Sequence, residues 1–230
     1  MILRILKITA KSLFILCFPV LLLTASIAGA INCSWLYQYG FQKYHISQTT
    51  GIENTELEKA ARGLRNYFNS GEEYINVTII KDSKPFPLFN DREIKHLKDV
   101  KQLFWLDYEA LAGTLLYVLG YSVVSLFWYQ KRHQLAKGVL GGSILTLMLT
   151  LLLGLGALFS FDQLFLQFHL LSFANDFWML DPTHDYLLML FPQGFWYDTT
   201  LFCALATVAG ALILGGISAG YLLTRRESMI

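Results

Sequence analysis

The chain has 230 residues, 54% of them hydrophobic and only 15% charged, with a formal net charge of +1. So little charge excludes an ordinary soluble domain, and a balance this close to neutral offers no basic surface for nucleic acid. The information lies in where the charges fall: the stretches 12–31, 110–130, 138–161 and 199–224 contain no Asp, Glu, Lys or Arg.

Each stretch reaches the roughly 20 helical residues that cross a hydrocarbon core of about 30 Å. The expected fold is therefore an all-α polytopic membrane protein with four transmembrane helices. The first stretch follows Arg4 and Lys7 and ends near Ala28-Gly29-Ala30, which resembles a signal-peptide cleavage site. Its apolar run exceeds the roughly 7–15 residues of a signal core, so it is read as a retained helix. Asn32 precedes Cys33 where a lipidation site would carry a small residue. Cys17, Cys33 and Cys203 show neither metal nor redox spacing, and two of them fall within spans, so no disulfide framework is expected.

The segments between spans set the orientation. Arg4, Lys7 and Lys11 at the N-terminus (1–11), Lys131, Arg132 and Lys137 in the loop 131–137, and Arg225 and Arg226 in the tail 225–230 place these segments in the cytoplasm. The segment 162–198 has no Lys or Arg but carries Asp162, Asp176, Asp181, Asp185 and Asp198, so it belongs outside. The segment 32–109 belongs outside too, because long segments translocate despite their charge.

The segment 32–109 is long enough for a small α+β cap. Thr55-Glu56-Leu57-Glu58 matches a capping box, and Leu57, Ala60, Ala61, Leu64 and Phe68 repeat at helical spacing up to Ser70-Gly71. The alternating residues 74–80 predict a strand, 81–85 a turn, and 86–89 a second short strand. Asn90 is placed to cap a helix starting at Asp91 with Glu93 in its first turn. Glu93, His96 and Asp99 then share one face. In 162–198 the aromatic density suits the headgroup zone, and this segment reads as a re-entrant or interfacial loop. If it is helical, His169, Ser172, Phe173 and Asp176 share a face. Asp181-Pro182 predicts a capped short helix, which Pro192-Gln193-Gly194 would break.

His133, His45 and His184 read as surface or structural residues. His96 and His169 stand apart, because each shares a face with a carboxylate at the outer membrane edge. Gly216-Ile217-Ser218-Ala219-Gly220 matches the nucleophile-elbow pattern but sits inside a span, where close packing through Gly216 and Gly220 explains it better. No metal-binding spacing or cofactor fingerprint occurs, so no cofactor and no metal are expected.

Two runs carry a resemblance. One is Phe89-Asn90-Asp91-Arg92-Glu93-Ile94-Lys95-His96-Leu97-Lys98-Asp99-Val100-Lys101. The other is Phe168-His169-Leu170-Leu171-Ser172-Phe173, then Asn175-Asp176-Phe177-Trp178-Met179-Leu180-Asp181-Pro182, with Asp185, Phe191-Pro192 and Phe195-Trp196-Tyr197-Asp198. With the span number and the cap, these resemble the lipoprotein intramolecular transacylases of Gram-positive bacteria. The resemblance implies a multi-pass enzyme of the bacterial cell membrane, working on membrane lipid and a diacylated lipoprotein. It would move the sn-2 acyl chain of the diacylglyceryl group to the α-amine of the N-terminal cysteine. It implies His96 and His169 as the catalytic pair, in acid and base roles. Asp99 and Asp176 are candidates to orient an imidazole, Asn175 is a candidate oxyanion donor, and Glu93 is a supporting residue. Two rival readings stay open: a membrane sensor or accessory subunit whose cap binds peptide or lipid, and a metal-dependent membrane hydrolase.

Overall fold

The computed structural model describes residues 2–128 and 130–227, with side chains at 4–128 and 130–225. Tyr129 and the tail residues from 228 lie outside the described residues. In chain order the elements are α1 (Ile2–Asn32), α2 (Ser34–Lys43), α3 (Ile46–Thr50), α4 (Asn54–Phe68), β1 (Thr78–Lys81), β2 (Lys84–Pro87), α5 (Asp91–Val123), α6 (Arg132–Ser172), α7 (Tyr186–Leu190) and α8 (Gln193–Glu227). A π-turn, Val124–Trp128, ends α5, and Gln130 follows in the left-handed region.

The expected architecture holds: α1, α5, α6 and α8 are long and apolar enough to cross a membrane. They are also longer than a crossing needs. At 1.5 Å per residue the 33 residues of α5 extend about 50 Å against a core of about 30 Å. The charge-free stretches 110–130 and 138–161 are each long enough to cross by themselves, which leaves the charged first half of α5, 91–109, and the end of α6 beyond Asp162 as helix in excess of a crossing. Within α6, Ser160 departs from helical geometry (φ −156°, ψ 56°), so the helix bends as its charge-free stretch ends.

The chain divides into two compact units. The first comprises Met1–Ile27, Asp107–Leu158 and Phe202–Ile230. Its packing centres on Phe14, Phe18 and Val118. A Cβ on Gly142 would lie 2.6 Å from Phe18, and one on Gly215 would lie 2.9 Å from Ser143, so bare backbone lets these helices close up. Gly216 and Gly220, by contrast, have no neighbour within 4 Å. The close-packing expectation is therefore misplaced by one residue or more along α8. The outward faces carry exposed Leu116, Leu152 and Ile213, as a lipid-facing surface should.

The second unit comprises Ala28–Leu106 and Phe159–Leu201. Leu57, Ala60, Ala61, Leu64 and Phe68 of α4 are buried as the spacing predicts. Ile46, Ile52, Ile79, Leu88, Leu97 and Leu190 complete a core of fully buried side chains, each adding about 1.5–3 kcal/mol by leaving water. The α4 capping box does not form: the helix begins at Asn54, and its N-cap Glu53 makes no side-chain bond. Glu58, the carboxylate of that box, accepts the Gln38 amide (3.3 Å), and Glu56 accepts the backbone N–H of Ile80 (2.7 Å), so both carboxylates serve distant partners. The first strand is shorter than expected and starts four residues later, the second has the expected length but lies two residues earlier, and they pair Thr78 with Pro87 through Lys81 with Lys84. Asp82 and Ser83, both at positive φ, make the two-residue turn, as a hairpin of this twist requires.

Candidate active site

Asn90 starts the site. Its side-chain oxygen accepts the N–H groups of Arg92 (2.9 Å) and Glu93 (3.1 Å), while Glu93 Oε2 accepts the Asn90 N–H (2.7 Å). This reciprocal cap launches α5 in the predicted place and fixes which face carries His96. The other Glu93 oxygen accepts the N–H of Leu187 (2.6 Å). Glu93 is 1% exposed, and burial pushes its carboxyl up, against the pull of the two backbone N–H groups. It acts as a clamp between the first turn of α5 and that of α7. Asn90 Nδ2 adds a second tie to Asp185 (2.7 Å), whose other oxygen accepts the Asp181 N–H (2.6 Å).

His96 comes from α5 and His169 from the last turn of α6, with ring centroids 6.2 Å apart. Phe173 lies against both, 5.0 Å from His96 and 5.6 Å from His169. Phe165 (4.5 Å), Trp178 (5.1 Å) and Phe168 (5.4 Å) complete an aromatic box around His169.

The two imidazoles are held differently. His169 Nδ1 is 2.7 Å from the Phe165 carbonyl. A carbonyl only accepts, so Nδ1 carries the hydrogen, and in the neutral ring Nε2 keeps its lone pair. His96 is 7% exposed, and its Nδ1 is buried without a hydrogen-bond partner. Burial, reinforced by neighbouring His169, holds His96 down to about 4, against a smaller opposing pull from Asp99. Burial also holds His169 below its ordinary value, with the Phe165 carbonyl acting the other way. Both rings are therefore neutral at neutral pH and able to accept a proton.

The expected supporting residues fall in several places. Asp99 acts on His96 through its charge and accepts the Asn175 amide (2.9 Å). The Asn175 carbonyl accepts the Phe177 N–H (3.0 Å), so this side chain braces the segment after α6. Asp176 meets α5 through its backbone, where Arg92 donates to its carbonyl (2.5 Å). Among the described residues neither imidazole is hydrogen-bonded to a carboxylate. No group of three or more His, Cys, Asp or Glu residues gathers to hold a metal there. His45 and His133 are exposed, and His184 pairs with Asp181 at 3.5 Å. Residues 182–184 form a turn rather than the expected helix: Asp181 accepts the Thr183 N–H (2.8 Å), and helix resumes only at Tyr186. The break before α8 falls at Phe191-Pro192, with Gln193 and Gly194 already helical.

Helical spacing already puts Phe173 on the face of His169, but nothing in the residue types marks Trp178 as part of the site, because aromatic residues crowd the whole segment. The Arg92 contact uses a backbone carbonyl and leaves no trace in residue types.

Residues 12–196 match the family model described as lipoprotein intramolecular transacylase Lit. An uncharacterized protein of Aquifex aeolicus is 27% identical over 207 residues, covering 88% of this chain and 90% of its own. The solved structure of lipoprotein intramolecular transacylase Lit from Bacillus cereus superposes with a TM-score of 0.81 at 18% identity, covering 97% of this chain and 98% of that one. A variant of the same protein with one histidine replaced by alanine gives 0.78 at 17% identity, covering 99% and 98%.

Proposed function

Because the chain belongs to the lipoprotein intramolecular transacylase family, we propose that it moves the sn-2 acyl chain of a diacylglyceryl lipoprotein onto the α-amine of the N-terminal cysteine. The observation that carries this reading is the pair of neutral imidazoles 6.2 Å apart in an aromatic box, close enough to serve one lipid headgroup.

Amine and ester belong to one molecule, so holding them together supplies much of the rate. The amine nitrogen attacks the ester carbonyl and the C–N bond forms. The nitrogen becomes acidic as it does so, and His169 Nε2 takes its proton. His169 suits this task because its Nδ1–H is already committed to the Phe165 carbonyl, which steadies the imidazolium that results. The tetrahedral intermediate then collapses and the C–O bond to glycerol breaks. The departing oxygen needs one proton, which returns from the imidazolium, directly or through His96. Protons balance and no water is consumed. The unpartnered His96 Nδ1 suits a contact that only substrate completes. Asp99, braced by Asn175, supports the His96 side of the exchange; the Asp176 carboxylate has no part in orienting either ring.

In this reading the reaction takes place on the extracytoplasmic side, with both termini in the cytoplasm, which the distribution of Lys and Arg among the loops supports. The acyl chains stay in the bilayer, and the aromatic box keeps out water that would hydrolyse the ester.

The test is incubation of the purified protein with a diacylated lipopeptide. Unchanged mass with one chain moved to nitrogen supports the reading. Loss of one acyl mass would mark a hydrolase, and untouched substrate would mark a sensor. His96→Gln and His169→Gln should each lower turnover by about 10²-fold or more while the protein stays folded. Normal turnover in either variant removes that residue from the mechanism.

A further inference from the structure

Away from the imidazoles, the second unit carries a polar cavity of about 270 Å³ lined by Ser34, Gln38, Glu58, Ala61, Arg62 and Arg65. Arg65 is held rather than waving. Its Nη1 donates to the Asn32 carbonyl (3.4 Å) and to Ser34 Oγ, and its guanidinium lies over the Tyr37 ring at 5.8 Å. Its Nε–H is nevertheless buried without a partner. Glu58 accepts the Gln38 amide (3.3 Å), so it brings one negative charge to the cavity. With two arginines the lining is still net positive.

Position adds to chemistry. The cavity opens beside the start of α2, whose N-cap Cys33 makes no side-chain bond, so the first amides of that ten-residue helix add partial positive charge. α2 begins two residues after α1, a spanning helix, ends. Trp35, 59% exposed, stacks on Tyr39 at 5.4 Å on a neighbouring face of α2. An exposed aromatic stack where a span ends marks headgroup depth, which is where lipid phosphates lie.

We propose that this cavity binds the phosphate of an anionic membrane phospholipid. Arg65 and Arg62 hold the phosphate oxygens, and Trp35 and Tyr39 lie along the glycerol and upper chain. The proposed lipoprotein substrate carries a diacylglyceryl group without phosphate, so the cavity is not its seat. The bound lipid would fix α2 and α4 against the leaflet and make the enzyme sensitive to lipid charge.

The experiment is native mass spectrometry of the full chain in neutral detergent, with phosphatidylglycerol, phosphatidylcholine or inorganic phosphate added at matched concentration. Phosphatidylglycerol should stay bound several-fold more than phosphatidylcholine, and salt should weaken it. Arg62→Gln should reduce its retention about five-fold, the worth of one interfacial arginine. Lys84→Gln, on the exposed hairpin, should not. Arg62 is exposed, so its replacement leaves the fold intact and needs no stability correction. Equal retention of the two lipids, unchanged retention in Arg62→Gln, or inorganic phosphate binding without lipid preference would each overturn the assignment.

Discussion

Of the two imidazoles, His96 is the one whose neutrality burial enforces more strongly. With its folded value near 4 and an ordinary value near 6.5, the unfolded chain binds more protons between those limits. The contribution of His96 to stability is therefore complete above about pH 6.5 and is lost as pH falls toward 4. Thermal unfolding from pH 7.5 to 4.5 should show a falling midpoint, and His96→Phe should flatten that slope. An equally steep slope in the variant would mean the ring is ordinary. The same depression should leave kcat without an imidazole limb near 6.5 once the substrate amine is accounted for. At Asp176 the expectation is mild: only its backbone carbonyl engages α5, so Asp176→Asn should keep turnover within about threefold. A loss of 10²-fold would restore its carboxylate to the mechanism.

At the scale of elements, the site depends on how tightly the pieces of the second unit are tied. α2 meets α8 where a Cβ on Gly40 would come within 2.4 Å of the Phe195 ring, and one on Gly194 within 2.6 Å of Tyr44. Lys43 and Tyr44 both reach Asp198 across the same junction, at 2.6 and 2.8 Å. Gly40→Val should therefore destabilise by about 1–3 kcal/mol, seen as a lower unfolding midpoint, whereas Gly71→Ala, with open space around it, should not. Glu93 is the other tie. Glu93→Ala strands the N–H groups of Asn90 and Leu187 and leaves a cavity, so a loss of about 2–5 kcal/mol is expected. An unchanged midpoint would show that the two helix starts do not need this clamp.

For the whole molecule, orientation is the prediction with most at stake. In a cysteine-free background, Ser83→Cys in the hairpin should react with a membrane-impermeant maleimide in intact cells, and His133→Cys only after permeabilisation. The reverse pattern would place the imidazoles in the cytoplasm. The sequence made the four crossings legible because hydrocarbon excludes charge, and 12–31, 110–130, 138–161 and 199–224 are the stretches without any. The Asn90 cap was legible for the same local reason: its donors and acceptors lie within three residues. What failed depended on distant partners. Thr55 lost its capping box because α4 already begins at Asn54, and the box's own carboxylate, Glu58, accepts the amide of Gln38, 20 residues away. The helix expected after Asp181 became a turn, since that carboxylate takes up Thr183 and Asp185 anchors Asn90. Helical spacing and the family resemblance singled out His96 and His169, but their separation came only from the folding of two remote parts of the chain.

His169 and the carbonyl that fixes its tautomer ride on one turn of α6. Their alignment needs no third residue and no cooperation from the aromatic segment around them. In the proposed reaction, the imidazole assigned as base therefore keeps its tautomer however the residues after α6 are arranged. Substrate entry from the bilayer could then be tuned by altering the covering segment, without detuning the base beneath it.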